Sequence, residues 1–447
     1  MFVLLGWLFS AVLPFREAAW RVDLMCALAV AASVGLSFAV ARSVALPPIT
    51  SVLVALGFAV ASVTWRDATR AEVQDLALLL RALALFFGIR YARVGAARDA
   101  FCMALATGLA GATHGSALLL LPAVGLLAAA RPESKQPRML ALGAAGVALG
   151  LLPYAYLPLR SAAVAAAHLD PTLALGLPAG AQPFWDYDHP ATWSNFLRVA
   201  RAADFDVRSG FGGFFDLGAY PHFAAALLRR LAQAYGFAGM GLAALGAALF
   251  VGRRSPAGAA LVIAGLLPVP YTESYRELQD PERYYLFTLW CAAIAVGAGF
   301  EFVADLFALP PRSMGRFAIA VVLVASFAAA SPERGWFFAQ RYERNAEWYV
   351  DDMIATTPDN ALIVSEWAYA TPLAYAAYVR HTFGRRVVVT AAPKQYLAKY
   401  RAWLATRPLY IVTFDDALRL PGFHAAPVGR SYYYVYHVTL EMRHERR

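Results

Sequence analysis

From Trp20 to Ala330 the chain is a succession of apolar runs separated by short polar breaks, and arginine falls repeatedly at alternate breaks. A run of about 20 apolar residues is what an α-helix needs to cross a bilayer. Such runs fall at 20–41, 48–64, 71–89, 138–157, 222–251, 256–270, 284–302 and 316–330, with a shorter pair at 100–113 and 115–130 around His114. That is about ten spans. Only 15% of the residues are charged, against roughly 25% in soluble domains. The mean hydropathy of +0.50 agrees. The net charge of +9 does not argue for nucleic acid, because the arginines punctuate apolar runs as topology signals do.

Basic residues in short loops mark the cytoplasmic side. With Arg90, Arg93 and Arg98 placed there, alternation puts Arg42, Arg131, Lys135, Arg138, Arg253, Arg254, Arg312 and Arg316 on the same side. The other face then receives 65–70, the long loop 158–221, 271–283 and everything after residue 330. Sidedness leaves residues 1–19 outside the cytoplasm with nothing before them to carry them across. Either MFVLLGWLFSAVL is an interfacial helix, or a first span and external loop precede Met1. The second is the expectation adopted here.

The chain divides on this reading into a transmembrane bundle over 1–330 and a small extracytoplasmic α/β domain over 331–447. In the latter, β-branched runs at 361–365, 386–390 and 409–413 alternate with helical patterns at 368–381 and 393–406, which predicts parallel strands. A closing strand is predicted over 431–440. No Gly-rich phosphate loop joins a strand to a helix there. Cys26, Cys102 and Cys291 lie in apolar runs without metal-ligand spacing, so neither metal nor disulfide is expected.

Three polar stretches face outward: 64–73 with Trp65 and Glu72, the segment FWDYDHPATW with Trp185, Asp186, Asp188, His189 and Trp193, and 271–285 with Arg276, Glu282, Arg283 and Tyr284. His114 is an ionisable group in an apolar stretch, where polar groups are costly and tend to mark function; it also suits a plain hydrogen bond to a carbonyl. Glu72 suits a first helical turn by the helix dipole, or a polar group aimed into the outer cavity. Arg160 ends a span, where arginines snorkel or hold a phosphate with their planar fork. The aromatic and acidic residues of 184–206 suit either carbohydrate or a membrane interface.

In order along the chain, VTWRDATRAEVQDL (63–76), GLAGATHGSALLLLP (108–122), YLPLRS with FWDYDHPATWSNF, DPERYYLFTLW (280–290) and YERNAEWYVDDMIATTPDNALIVS (342–365) resemble a membrane family. It was long catalogued as a domain of unknown function, and its animal member is a transmembrane protein O-mannosyltransferase. The resemblance implies a GT-C-like helix bundle and a bacterial inner-membrane glycosyltransferase. Such an enzyme moves a sugar from a polyprenyl-phosphate donor to a protein hydroxyl or lipid-linked glycan on the extracytoplasmic face. It needs membrane lipids and no cofactor. Trp65, Glu72, His114, Arg160, Trp185, Asp186, Asp188, Arg276, Glu282, Arg283 and Tyr284 are the substrate-binding residues expected. The acid expected as catalytic base falls, in the family, upstream of the point matching Met1. The alternatives are a non-catalytic or degenerate assembly subunit and a lipid-glycan flippase.

Overall fold

The computed structural model describes residues 1–204, 207–275, 281–330, 339–340, 342–430 and 433–441. Arg276 and Asp280 lie outside them. The chain is mostly helical and forms two compact units, Met1–Ala155 with Arg201–Ala339, and Tyr156–Ala200 with Gln340–Arg447. The loop 158–221 is therefore divided. Its first part belongs with the C-terminal region, not with the helical bundle.

Chain order begins with α1 (Phe2–Val12), α2 (Ala18–Ser43), α3 (Pro48–Ala59), α4 (Ser62–Ala68), α5 (Val73–Val94), α6 (Ala97–Thr113), α7 (Leu121–Ala129) and α8 (Pro137–Leu151). The second unit then contributes α9 (Tyr156–Ala166), α10 (Pro183–Asp186) and α11 (Trp193–Ala200). The first resumes with α12 (Val207–Gly212), α13 (Tyr220–Gly252), α14 (Pro256–Leu266), α15 (Pro268–Ser274), α16 (Leu286–Leu306) and α17 (Met314–Ala330). The last elements are α18 (Asn345–Thr356), β1 (Leu362–Ser365), α19 (Trp367–Tyr378), β2 (Val387–Thr390), α20 (Tyr400–Leu404), β3 (Leu409–Thr413), β4 (Phe423–Arg430) and β5 (Tyr434–Leu440).

Among the described residues, four helical stretches are long and apolar enough to cross a bilayer: Ala18–Ser43, Pro137–Ala166, Leu217–Gly252 and Pro281–Leu306. A fifth is α3 with α4 if that pair, bent by 61°, makes one span. The protein is a multi-pass membrane protein. Of the ten runs read from the sequence, α3 with α4 is bent, α6, α7, α14 and α17 are each shorter than 18 residues, and α5 is long enough but carries Asp75, Arg81, Arg90 and Arg93.

Without a strong hydrophobic drive between helices in lipid, small residues decide which pairs approach closely. Gly146 and Gly150 on α8 meet Ala104 and Gly108 on α6. A Cβ on Gly150 would lie 2.6 Å from the Leu105 carbonyl and 2.7 Å from the Gly108 Cα. Any larger residue must push the helices apart. An apolar groove of about 440 Å³ runs between α3 and α17, lined by Ile49, Val52, Leu56, Phe317, Val321 and Val324. It holds no ionisable side chain.

In the second unit the sheet order is β2-β1-β3-β5-β4, with β1 parallel to β2 and β3, and β5 antiparallel to β3 and β4. β1 and β3 are buried throughout, as parallel strands covered on both faces must be. β4 was not foreseen, because HAAPVGR contains Pro427 and Gly429. Proline is tolerated at an edge or a bulge, and β4 is an edge strand with a register shift between those residues. Arg386 fastens β2 to the end of α18 by donating to the carbonyls of Ile354 at 3.0 Å and Phe383 at 3.1 Å and to Thr357 Oγ1 at 2.9 Å.

The segment 170–190 packs into this unit. Leu177 lies in its core. Gln182 completes the edge of β2, accepting from the Thr390 amide at 2.7 Å. Phe184 stacks on Trp367 and Trp185 meets Tyr378 edge-on, with ring centroids 5.3 and 4.9 Å apart.

Candidate functional site

One group of charged residues of the first unit gathers where α4, the start of α5, residues 281–285 and α13 come together. Glu72 occupies the N-cap of α5 without capping it; its carboxylate accepts from Arg283 at 2.5 Å instead. Glu282 takes Arg66 on one side and Arg230 on the other. Asp67, fully buried, pairs with Arg70 at 3.2 Å, and its second oxygen has no hydrogen bond. Asp75 lies in the first turn of α5. It is also fully buried, and the Cys26 thiol lies against its carboxyl group. Beside it the Cys26 thiol donates to the Glu72 carbonyl at 3.6 Å. A cavity of about 40 Å³ next to Glu282, bordered by Ser62, Arg230, Gln233 and Tyr285, has room for water and not for a sugar.

One step deeper lies Arg81, on the third turn of α5 and 4% exposed. Its guanidinium donates to Ser116 Oγ at 2.5 Å and lies 5.5 Å from the Phe287 ring centre. No carboxylate pairs with it among the described residues, and its Nε has no hydrogen bond. A guanidinium stays charged even when buried, and an isolated charge in low dielectric is very costly. Ser116 links it to His114. The Ser116 amide donates to His114 Nδ1 at 3.2 Å, and the Ser116 hydroxyl lies 2.7 Å from the same nitrogen. Because Nδ1 accepts the amide, the ring proton is assigned to Nε2, which is left to donate. Arg81 and Arg283 both lie close enough to bear on the imidazole. The His114 and Tyr284 rings meet edge-on at 5.5 Å, and the Arg283 guanidinium lies 5.5 Å from the Tyr284 ring centre.

The structure thus brings together Glu72, His114, Glu282, Arg283 and Tyr284. Trp65 stays 54% exposed and outside this network. Arg160, Trp185, Asp186 and Asp188 belong to the second unit. There Arg160 is half-buried with no ion pair among the described residues, Asp186 is buried, and Asp188 pairs with Arg198 at 3.1 Å. Arg276 lies outside the described residues.

Sequence reasoning missed Arg81, Ser116, Asp67 and Asp75. The signal for Arg81 was present: a charge in LALLLRALALFF, flanked on both sides by apolar residues, is the pattern that marks function inside membranes. Among the described residues, no three His, Cys, Asp or Glu side chains converge as a metal site.

Residues 1–137 match the family described as the protein O-mannosyl-transferase TMEM260 N-terminal domain. Glu72, Asp75, Arg81, His114 and Ser116 all fall inside that stretch. No curated protein matches the chain. Among solved structures, ArnT from Cupriavidus metallidurans in the apo state matches at a TM-score of 0.54 and 13% identity, covering 98% of this chain and 86% of ArnT. ArnT from the same organism bound to undecaprenyl phosphate matches at 0.50 and 14%, covering 98% and 87%. The chain is thus similar to the protein O-mannosyl-transferase TMEM260 N-terminal domain over its first 137 residues and, over almost its whole length, to ArnT in fold.

Proposed function

We propose that this protein is a membrane glycosyltransferase that takes a sugar from a polyprenyl-phosphate donor and passes it to a hydroxyl of a protein or lipid-linked glycan on the extracytoplasmic face of a bacterial inner membrane. The observation that carries this reading is Arg81, a buried cation with no acid beside it among the described residues. It sits next to an imidazole whose Nε2 can donate and near a second arginine, Arg283. Such a cluster of donors suits an anion bearing several oxygens. A lipid phosphate is such an anion, and the matching ArnT structure contains undecaprenyl phosphate.

The chemistry asks for the same parts. As the bond from the sugar carbon to the phosphate oxygen breaks, charge grows on the phosphate while the sugar takes on oxocarbenium character. Fixed donors in a water-poor site stabilise that charge without reorganising. Arg81, His114 and Arg283 are the donors we assign. The acceptor hydroxyl gives up its proton to a carboxylate as it attacks, and Asp67 and Asp75 are carboxylates in this chain with an oxygen still free of hydrogen bonds.

The test is binding of undecaprenyl phosphate to the full chain in nanodiscs, read by native mass spectrometry, together with sugar transfer from a polyprenyl-phosphate mannose. Loss of a charged hydrogen bond costs about 1.5–3 kcal/mol, so Arg81→Met is expected to weaken binding by one to two orders of magnitude. Equal binding by Arg81→Met sinks the assignment. Binding without transfer points to the non-catalytic subunit.

A further inference from the structure

In the second unit the chain leaves β1 and β3 towards opposite faces of the sheet. After β1, helix α19 covers one face, where its Tyr369 and Leu373 share a core with Ile363 and Val412. After β3, the chain turns to the other face, where Leu418 and Leu420 join Trp403 of α20 in a core with Val364 and Ile411. β1 and β3 are parallel neighbours. Two such strands, with connections departing on opposite sides, leave a crevice outside their carboxyl ends, and in open α/β sheets that crevice is where ligands bind.

Aromatic rings gather at this point. Tyr369 in the first turn of α19, Phe414 directly after β3 and Tyr433 directly before β5 pack on one another. Their centroids are 4.5 Å apart for Tyr369 and Phe414, 4.3 Å for Tyr369 and Tyr433 and 5.4 Å for Phe414 and Tyr433. Tyr349 of α18 meets Tyr433 edge-on at 5.0 Å, and its hydroxyl lies against that of Ser365, the last residue of β1. The phenols of Tyr349, Tyr369 and Tyr433 lie close enough to bear on one another, and Glu366 bears on that of Tyr369. Burial raises the pKa of Tyr349 and Tyr369, so both hydroxyls keep their protons at neutral pH.

Phe414 differs from the other rings. It is 61% exposed, whereas Tyr349 and Tyr369 are buried and Tyr433 is half-buried. It is nevertheless fixed. Tyr369 and Tyr433 back it, and the chain beyond it is pinned: the Asp415 amide donates to Thr413 Oγ1 at 3.2 Å, the Ala417 amide to Asp415 Oδ1 at 3.0 Å and the Tyr436 hydroxyl to the Asp415 carbonyl at 2.9 Å. Exposed carboxylates flank the ring: Asp415 and Asp416 follow it, and Glu366 follows β1. A fixed aromatic face, phenol hydroxyls and carboxylate acceptors together suit a sugar, whose C–H face stacks on aromatic carbon and whose hydroxyls both donate and accept. A basic side chain would engage the carboxylates and the ring but offer the phenols no acceptor.

We propose that the crevice at the carboxyl ends of β1 and β3 binds an uncharged oligosaccharide, with one hexose stacked on Phe414 and its hydroxyls bonded to Glu366, Asp416 and the phenol of Tyr433. The carboxylates disfavour acidic sugars. This reading rests on the second unit alone and does not depend on the assignment of Arg81.

The test is saturation-transfer NMR on the full chain in nanodiscs, with mannotetraose, cellotetraose and chitotetraose as neutral probes and tetragalacturonate as the acidic one. A neutral probe is expected to bind, and tetragalacturonate is not. Phe414→Ala is expected to weaken binding about tenfold, with the melting temperature held because the ring is mostly exposed. Phe414→Trp, which restores a ring, is expected to bind as the original does. Asp416→Asn, an exposed change that leaves the ring cluster intact, is expected to weaken binding severalfold. Binding by none of the neutral probes overturns the proposal, and so does binding that Phe414→Ala and Asp416→Asn leave unchanged. Binding of tetralysine that depends on Phe414, in place of the sugars, also overturns it and marks the crevice as a peptide site.

Discussion

Among the described residues two arginines are buried in the helical unit, and their surroundings could hardly differ more. Arg316, 1% exposed, is bonded to both Glu301 and Asp305 and donates to the Leu309 carbonyl at 2.8 Å, while Thr50 donates to Glu301 in turn. Every charge in that group has its counter-charge, and the group ties α16, α17 and α3 together. Arg81, 4% exposed, has a hydroxyl and a ring face. Burial alone therefore does not mark a functional charge. The distinguishing feature is burial without a counter-charge, because a chain that only had to fold would gain by replacing such a cation with an apolar side chain.

The comparison breaks or holds on substitution. Arg316→Met strands Glu301, and removing one partner of a buried pair costs about 3 kcal/mol. Thermal unfolding in detergent should show it, and adding Glu301→Gln should recover part of the loss. Arg81→Met strands no acid among the described residues, so the melting temperature should hold or rise while undecaprenyl phosphate binding falls. A large drop in stability would place Arg81 with Arg316 as a structural charge.

Ser116→Ala sharpens the contrast on a smaller scale. It removes the hydroxyl between Arg81 and His114, a change of about 1 kcal/mol, so lipid phosphate affinity should fall about fivefold in the same titration.

The smallest effect belongs to the second unit. Hydrogen bonds from the Arg385 side chain and amide hold the exposed Asp359 carboxyl below its ordinary value. Its contribution to stability is complete above the unfolded carboxylate range and is lost as pH falls through the lowered value. Asp359→Asn should lower the melting temperature slightly at neutral pH, with the difference narrowing on acidification. An unchanged difference at all pH values would show that the bonds survive protonation.

Much of the architecture was legible from pattern. The strands at 362–365, 387–390 and 409–413 announced themselves as β-branched runs because both faces of those strands are buried. The helices announced themselves as apolar runs, but a run of apolar residues does not reveal a bend such as that between α3 and α4. Within the candidate site, Glu72, Glu282, Arg283 and Tyr284 were flagged from their positions at polar breaks, and His114 as an ionisable group within an apolar stretch. Asp67 was overlooked within one such break, and Asp75 at its edge. Arg81 was overlooked because a single arginine in LALLLRALALFF does not interrupt the apolar run around it.

What the sequence determined by itself was the class of protein: periodic apolar composition sets a membrane bundle, and β-branched alternation sets a small sheet, because both are local properties of neighbouring residues. What only the tertiary structure decided was partnership. Arg81 and Arg316 look alike in sequence, each an arginine at the edge of or within an apolar run. One meets two carboxylates and the other none among the described residues, and that depends on which helices pack together, which is fixed by contacts between residues far apart in the chain. The same holds for 170–200, whose place in the α/β unit rests on pairings such as Gln182 with Thr390 that no local pattern encodes.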